Sequence, residues 1–246
     1  MKKALFTLAL ILCALGLSAQ KPKADDIIKA IDRNMISNTV KSTTRMVVHS
    51  KRSSRTVESI NYSKGNNSFY SEYTSPPRDK GTKMLKLGSD LWIYDPGSDR
   101  TVQISGNMLK QSVMGSDLSY EDFMEESTLE KDYNAAITGE ITYDKRDCWI
   151  LTLTAKHGKV AYYTRKAYVD KQRYVPLYEE WYAKSGKLLK TVKLSNVENV
   201  SGRWYPRYML FKDKLKDGKG TEYFVDKIEF DLKIPDHIFS KAMLKK

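Results

Sequence analysis

"TKMLKLGSDLWIYDPGSDRTVQI" occupies residues 82–104, and how it is read decides the fold. Runs of aliphatic, aromatic and β-branched residues at 82–87, 91–94 and 100–104 are separated by "LGSD" and "DPGSD". Glycine supplies left-handed backbone, proline pre-sets φ, and Asp and Ser side chains bond their own backbone, so both separators are turns. Apolar runs of this length between such turns are strands. Connections of a few residues join antiparallel neighbours, because a parallel crossover needs a dozen or more. The stretch is an antiparallel meander.

The same pattern extends in both directions. Upstream, 43–50, 55–63 and 68–73 read as strands bounded by "SKGNN" and "SPPRDKG"; downstream come 134–143, 146–155, 160–170, 173–183, 187–195, 197–212 and 221–232, linked by "DKRD", "KHGK", "KSGK" and "KDGKG". About a dozen strands at this spacing predict a barrel or sandwich. In "CWILTLT", Trp149, Leu151 and Leu153 share one face and Cys148, Ile150 and Thr152 the other. "DLWIY" and "LYEEWY" carry bulky residues on both faces. A flat sheet in water does not tolerate that, so the sheet is expected to curl and to be capped on its open side. No linker composition or repeat divides the chain, which predicts one domain over 20–246.

Two helices are expected outside the strands. In 24–38, "ADDIIKAIDRNMISN", residues Ile27, Ile28, Ile31, Met35 and Ile36 recur at helical spacing, and Asp25 and Asp26 suit the first turn. A short helix is predicted in "PDHIFSKAMLKK" after Pro235, with Ile238, Phe239, Met243 and Leu244 apolar. Between the two series of strands lies "SGNMLKQSVMGSDLSYEDFMEES", 105–127, unlike the rest of the chain. Met108, Leu109, Val113, Met114, Leu118, Phe123 and Met124 form an apolar strip on two helical pieces hinged at Gly115-Ser116-Asp117. Methionine packs against partners of varying shape, as a lid over a binding site requires. Such a strip also fits ordinary core.

The first nineteen residues have a basic start at Lys2 and Lys3, an apolar run over 4–17, and small residues at Ser18 and Ala19, the layout of a secretory signal peptide. Export to the periplasm is expected. Leu12 precedes Cys13 where lipid attachment asks for a small residue, so anchoring at Cys13 is not expected. Cys148 is then left without a disulfide partner and reads as a small buried apolar residue. Removing 1–19 takes away Lys2 and Lys3 and no acid, so the net charge falls from +12 to +10. In an exported protein that charge points to transient contact with anionic membrane surfaces or an acidic partner rather than to nucleic acid, although scattered cations also serve solubility.

Catalytic constellations are missing from the sequence. His49, His157 and His237 stand far apart, and no HExxH, CxxC, GxSxG or phosphate-cradling glycine loop occurs. No enzymatic activity, cofactor or metal is expected.

The stretch 78–123, the helix before it and the ending "IPDHIFSKAML" resemble the LolA-like group of bacterial outer-membrane lipoprotein-sorting proteins. The true periplasmic lipoprotein carrier is a more distant likeness through its "LWxYxP" pattern, here Leu91, Trp92, Tyr94 and Pro96. The resemblance implies a mainly β fold, an incomplete antiparallel barrel of about eleven strands with a helical lid, enclosing an apolar cavity for acyl chains of a lipoprotein or lipid. It implies an inner-membrane transporter and an outer-membrane acceptor as partners. Phe69, Leu85, Leu87, Trp92, Tyr94, Trp149 and Leu151 are the expected cavity wall, and the strip from Met108 to Met124 the lid. In the carrier, an arginine followed by proline makes the lid openable; "YSKGNNSF" has Lys64 and Gly65 there. An accessory docking module for an inner-membrane lipid or efflux transporter is the competing expectation.

Overall fold

The computed structural model describes residues 22–50, 53–124 and 128–246; the expected signal peptide lies outside them. Thirteen strands form one antiparallel sheet: β1 (Thr39–His49), β2 (Ser54–Lys64), β3 (Ser68–Ser75), β4 (Lys83–Leu87), β5 (Asp90–Asp95), β6 (Arg100–Ile104), β7 (Tyr133–Tyr143), β8 (Arg146–Ala155), β9 (Thr164–Asp170), β10 (Pro176–Tyr182), β11 (Leu188–Val200), β12 (Arg203–Asp213) and β13 (Thr221–Phe230). Their order is β6-β5-β4-β3-β2-β1-β13-β12-β11-β10-β9-β8-β7. The sheet is mainly β architecture left open, with thirteen strands where the resemblance implied about eleven. The chain starts in the middle, runs out to one edge at β6, crosses to the other edge at β7, and returns to pair β13 with β1. The odd stretch after residue 104 is thus the strap that joins the two edges.

Helix α1 (Ala24–Met35) is shorter than expected because Ile36 is already extended. Ile27, Ile28 and Ile31 bury against Tyr133, Trp149, Leu151, Leu153 and Val169 on β7–β9. Its C-terminal end is satisfied by distant groups: Arg203 donates to the Ile36 carbonyl at 2.8 Å, and the Asn34 side chain donates to Arg173 O at 2.8 Å and accepts from Trp204 N at 3.1 Å. The Arg203 bond satisfies a carbonyl at the helix end, and the Asn34 bonds fix the helix on the sheet.

In place of two lid helices, the strap has three 3₁₀ turns, Gly106–Lys110, Val113–Gly115 and Tyr120–Phe123, and one α turn, α2 (Leu129–Asp132). Gly106 and Gly115 have left-handed φ of 55° and 74°. Each break forces a new nucleation, which costs more than one turn returns, so no piece propagates. The C-terminal helix is likewise two 3₁₀ turns, Asp236–Phe239 and Lys241–Lys245, interrupted by extended Ser240.

At the far end of β9 the fully buried Asp170 accepts from Arg146 Nε at 2.8 Å, Arg173 Nε at 2.6 Å and Gln172 N at 2.8 Å. Burial alone raises this carboxyl's pKa, but the Arg146 guanidinium and the bonds from Gln172 and Arg173 outweigh it and lower it to about 2. A depressed folded-state pKa contributes stability above the unfolded value and loses it as pH falls through the folded one. Asp170 should therefore add about 2 kcal/mol at neutral pH, lost between about pH 4 and pH 2. Urea unfolding of Asp170→Asn is expected to show that loss at pH 7 and a flatter dependence below pH 4.

Candidate functional site

Across the whole sheet one face, here the inner face, carries α1 and the strap. Register puts Ile93, Met84, Ser71, Asn61 and Ser42 in one row across β5 to β1, and Leu151, Ala167, Glu179, Val192, Phe211 and Thr221 in another across β8 to β13. Among the described residues, two sizeable spaces lie beneath the cover. One, of about 270 Å³, is lined by Ile31, Met35, Leu129, Trp181, Val192 and Phe211 among others. The second, of about 180 Å³, is lined by Met35, Phe69, Phe123, Tyr205, Tyr223 and Phe230 among others. Met35 borders both. Phe69 on β3 and Met35 of α1, which packs against β7–β9 in the other half of the sheet, line the same space, so the sheet curls as expected.

Polar groups sit inside this apolar frame in defined pairs. Arg165 Nη2 meets Glu179 Oε2 at 2.8 Å, and its guanidinium lies 4.7 Å over the Trp181 ring, whose Nε1 donates to the same Glu179 oxygen at 2.6 Å. Asp32, on the wall of the larger space, accepts the backbone N–H of Leu129 at 3.1 Å and Glu130 at 3.2 Å, joining α1 to α2. Burial pushes its pKa up, more than those two bonds lower it. Beside the smaller space Thr44, Ser59, Asn61 and Ser71 form a closed network at 2.7–3.2 Å. The bonds to Asp32 and within the Thr44–Ser59–Asn61–Ser71 network let these polar atoms stand in the interior without the penalty of an unpaired group.

The strap is tied down by charge. Lys190 of β11 pairs with Asp122, which also accepts from Tyr162 Oη at 2.6 Å and from Ser119 N at 2.7 Å. Arg55 Nη2 donates to Met114 O at 2.6 Å. Ser116 and Asp117, expected to be a hinge, are buried. Asp117 accepts from Asp213 N and Thr221 Oγ1, both at 2.9 Å, and its own N–H donates to Thr221. Lys216 donates to Ser112 Oγ and Ser116 O. The Gly115 break is real, but an anchor follows it.

Of the expected strip, Met108, Leu109, Phe123 and Met124 pack on Met84, Leu91 and Ile104, while Val113 is buried and Met114, Leu118 and Phe123 join the cluster of Met46, Val57, Val192 and Phe211. Of the expected wall, Phe69 lines a cavity and Trp149 and Leu151 hold α1 from the inner face. Leu85, Leu87, Trp92 and Tyr94 need correction: they lie on the outer face with Tyr62 and Tyr70, covered by Ile238, Phe239, Met243 and Leu244. Strand alternation dictates this, since Met84, Leu91 and Ile93 take the inner side. Lys64 pairs with Asp236 of the C-terminal turns at 2.8 Å.

Among the described residues no group of His, Cys, Asp and Glu could hold a metal, and no helix is long and apolar enough to cross a membrane. His49 bonds Ser54 and Glu222 at 2.7 Å each, and His157 meets Asp132 at 3.0 Å. Cys148 is fully buried, its Sγ 3.5 Å from Arg146 O, and burial pushes its thiol up to about 11. The thiolate is the nucleophile, so the folded protein should resist maleimide at pH 8 and the Cys148 thiol should react only on unfolding. Labelling followed by mass analysis checks this.

A family model described as that of an uncharacterized protein matches residues 65–246. No curated protein matches the sequence. Among solved structures the chain is similar to a DUF1329-family protein from Desulfovibrio piger, 26% identical with a TM-score of 0.82, over 90% of this chain and 97% of the other. It is similar to a domain assigned to the outer-membrane lipoprotein-sorting proteins from Vibrio parahaemolyticus, at 22% identity, TM-score 0.78, and 91% and 98% coverage. A LolA-superfamily protein from Nitrosomonas europaea is 24% identical, with TM-score 0.73 and coverage of 90% and 99%. The last two identities carry the fold alone.

Proposed function

For a chain that belongs to the family matched over residues 65–246 and has the LolA-like fold of lipoprotein-sorting proteins, we propose a periplasmic carrier or chaperone. In this reading residues 20–246 act as one binding domain that encloses acyl chains of a lipoprotein or lipid and moves them toward the outer membrane. The observation that carries it is the pair of apolar spaces meeting at Met35 beneath α1 and the strap. Joined by a turn of the flexible Met35 side chain, they reach the range of about 300–1,000 Å³ typical of small-molecule sites. Each buried methylene contributes about 0.8 kcal/mol, so a chain of about 16 carbons needs an enclosure worth on the order of 12 kcal/mol to leave a membrane. Apolar walls meet that demand without any catalytic group.

The test is native mass spectrometry of protein released gently from the periplasm, with solvent extraction of what it holds. A stoichiometric lipid or lipopeptide is expected. An empty protein that also fails to take up a fluorescent acyl probe would overturn the carrier reading. That outcome favours the second one, a non-enzymatic accessory to an inner-membrane transporter. The charged fastening of the strap by Lys190 and Asp117 supports this alternative, since it holds the cover shut.

A further inference from the structure

The meander sends alternate hairpins out of one end of the sheet, and at that end three consecutive tips are basic. The β8–β9 connection exposes Lys156 and Lys159, the β10–β11 turn Lys184 and Lys187, and the β12–β13 turn Lys214 and Lys219. None of the six stands in an ion pair among the described residues. The opposite end differs. Its β7–β8 turn is Asp144-Lys145, its β11–β12 turn is Ser201-Gly202, and at β9–β10 Lys171 and Arg173 are paired with Glu140 and Asp170. Within β7–β13, lysines without a carboxylate partner are therefore gathered mainly at one end, although Lys156 Nζ also donates to Glu130 O at 2.6 Å.

The β12–β13 turn adds an apolar point. Leu215 is 61% exposed, the most exposed large hydrophobic side chain among the described residues. It is presented rigidly: Lys214 N donates to Leu189 O and Leu215 N to Asp213 Oδ1, both at 2.8 Å. Gly220 closes the turn at φ 100°, where a Cβ would lie 2.6 Å from Phe211 O, so the backbone fits no other residue without shifting.

We propose that these three hairpins form a docking surface for an anionic lipid bilayer, with the lysines on headgroups and Leu215 inserted between them. Alternate hairpins of a sheet stand about 10 Å apart, so the row spans roughly 20 Å, with a concavity beside it at Lys159, on the β8–β9 connection and away from Leu215. An extended, negatively charged surface fits positive charge spread over three tips, and a side chain that protrudes as Leu215 does, 61% exposed, suits insertion into a bilayer, whereas a folded acidic partner would call for a pocket around the apolar point. Lysines near an anionic membrane surface and a single apolar side chain at the interface act additively and reversibly. Lys216 of the same turn is bonded to Ser112 and Ser116 of the strap, so the docking element also holds the cover of the cavities. The surface stands whatever the cavities hold.

Cosedimentation of the full chain with vesicles tests it, comparing phosphatidylcholine alone with equimolar phosphatidylcholine and phosphatidylglycerol. Binding to the anionic vesicles only is expected, falling steeply with salt. Lys184→Glu with Lys187→Glu should weaken it roughly tenfold or more, and Leu215→Asp should weaken it with less change in the salt dependence. Lys145→Glu with Lys171→Glu at the opposite end is the control and should leave binding unchanged. Equal binding to neutral vesicles, equal loss in the control, or no binding to either vesicle overturns the proposal. In the last case acidic proteins are the remaining class of partner. Uptake of the acyl probe is read alongside on the unmodified protein: vesicle binding without uptake counts against the carrier reading and leaves the docking surface standing.

Discussion

Lys190→Met is expected to lower stability by about 3–5 kcal/mol, because it leaves the Asp122 carboxylate buried without its countercharge. Both side chains are nearly inaccessible, at 5% and 6% exposure, and Lys190 also lies 5.6 Å over the Tyr162 ring and 5.8 Å over Trp181. Tyr162 Oη still donates to Asp122, and burial and then that carboxylate push its pKa up and keep it protonated, but a neutral hydroxyl does not replace the lost positive charge. The pair joins β11 to the strap, so the first consequence is local: amides of residues 119–124 should exchange faster than those of the sheet. Adding Asp122→Leu to Lys190→Met should recover much of the loss, since a buried ion pair replaced as a whole by apolar groups is often neutral or better. Urea unfolding of both singles and the double gives the coupling; strict additivity would mean that the pair does not act as a unit.

Met35→Trp should abolish uptake of an acyl probe while the protein stays folded. The side chain borders both cavities, and an indole there fills the passage between them. Overpacking a tight core costs about 1–3 kcal/mol, but here the added atoms enter existing space, so the loss in stability should be at the low end. Met35→Ala makes the opposite change and should admit longer chains. Titration of a fluorescent fatty acyl probe into the three proteins tests both. Wild-type uptake by Met35→Trp would place the ligand, if any, away from the paired spaces.

Most of the strands were legible because turn chemistry punctuates them: "LGSD" and "DPGSD" bound β4, β5 and β6 to within one residue. Which face looks inward was not. Leu91 and Trp92 are both buried, one against the strap and the other under turns from residues 236–245, and no local pattern announces that a segment about 150 residues away covers the second face. Lys190 illustrates the limit for polar residues. In "LLKTVKL" its position resembles a solvated lysine, and only the fold brings Asp122 to it. Asp117 was read as part of a flexible break because Gly-Ser-Asp is turn chemistry; the same short side chains are also what a buried anchor to Thr221 and the Asp213 amide requires. The methionine strip was found through its composition, whereas its division into single turns depended on backbone signs at Gly106 and Gly115.

The strand order has a kinetic side. β1–β6 and β7–β13 are each a succession of neighbours in sequence, so nearly all pairing within a half closes short loops. The long-range step is the seam between β1 and β13, where Val40 meets Phe230 and Val48 meets Thr221. Short loops are cheap to close and long ones slow, so the two halves should gain structure first and join late. A chain cut within the strap would then yield two meanders able to find one another through that seam, making the molecule a natural candidate for reassembly from two fragments.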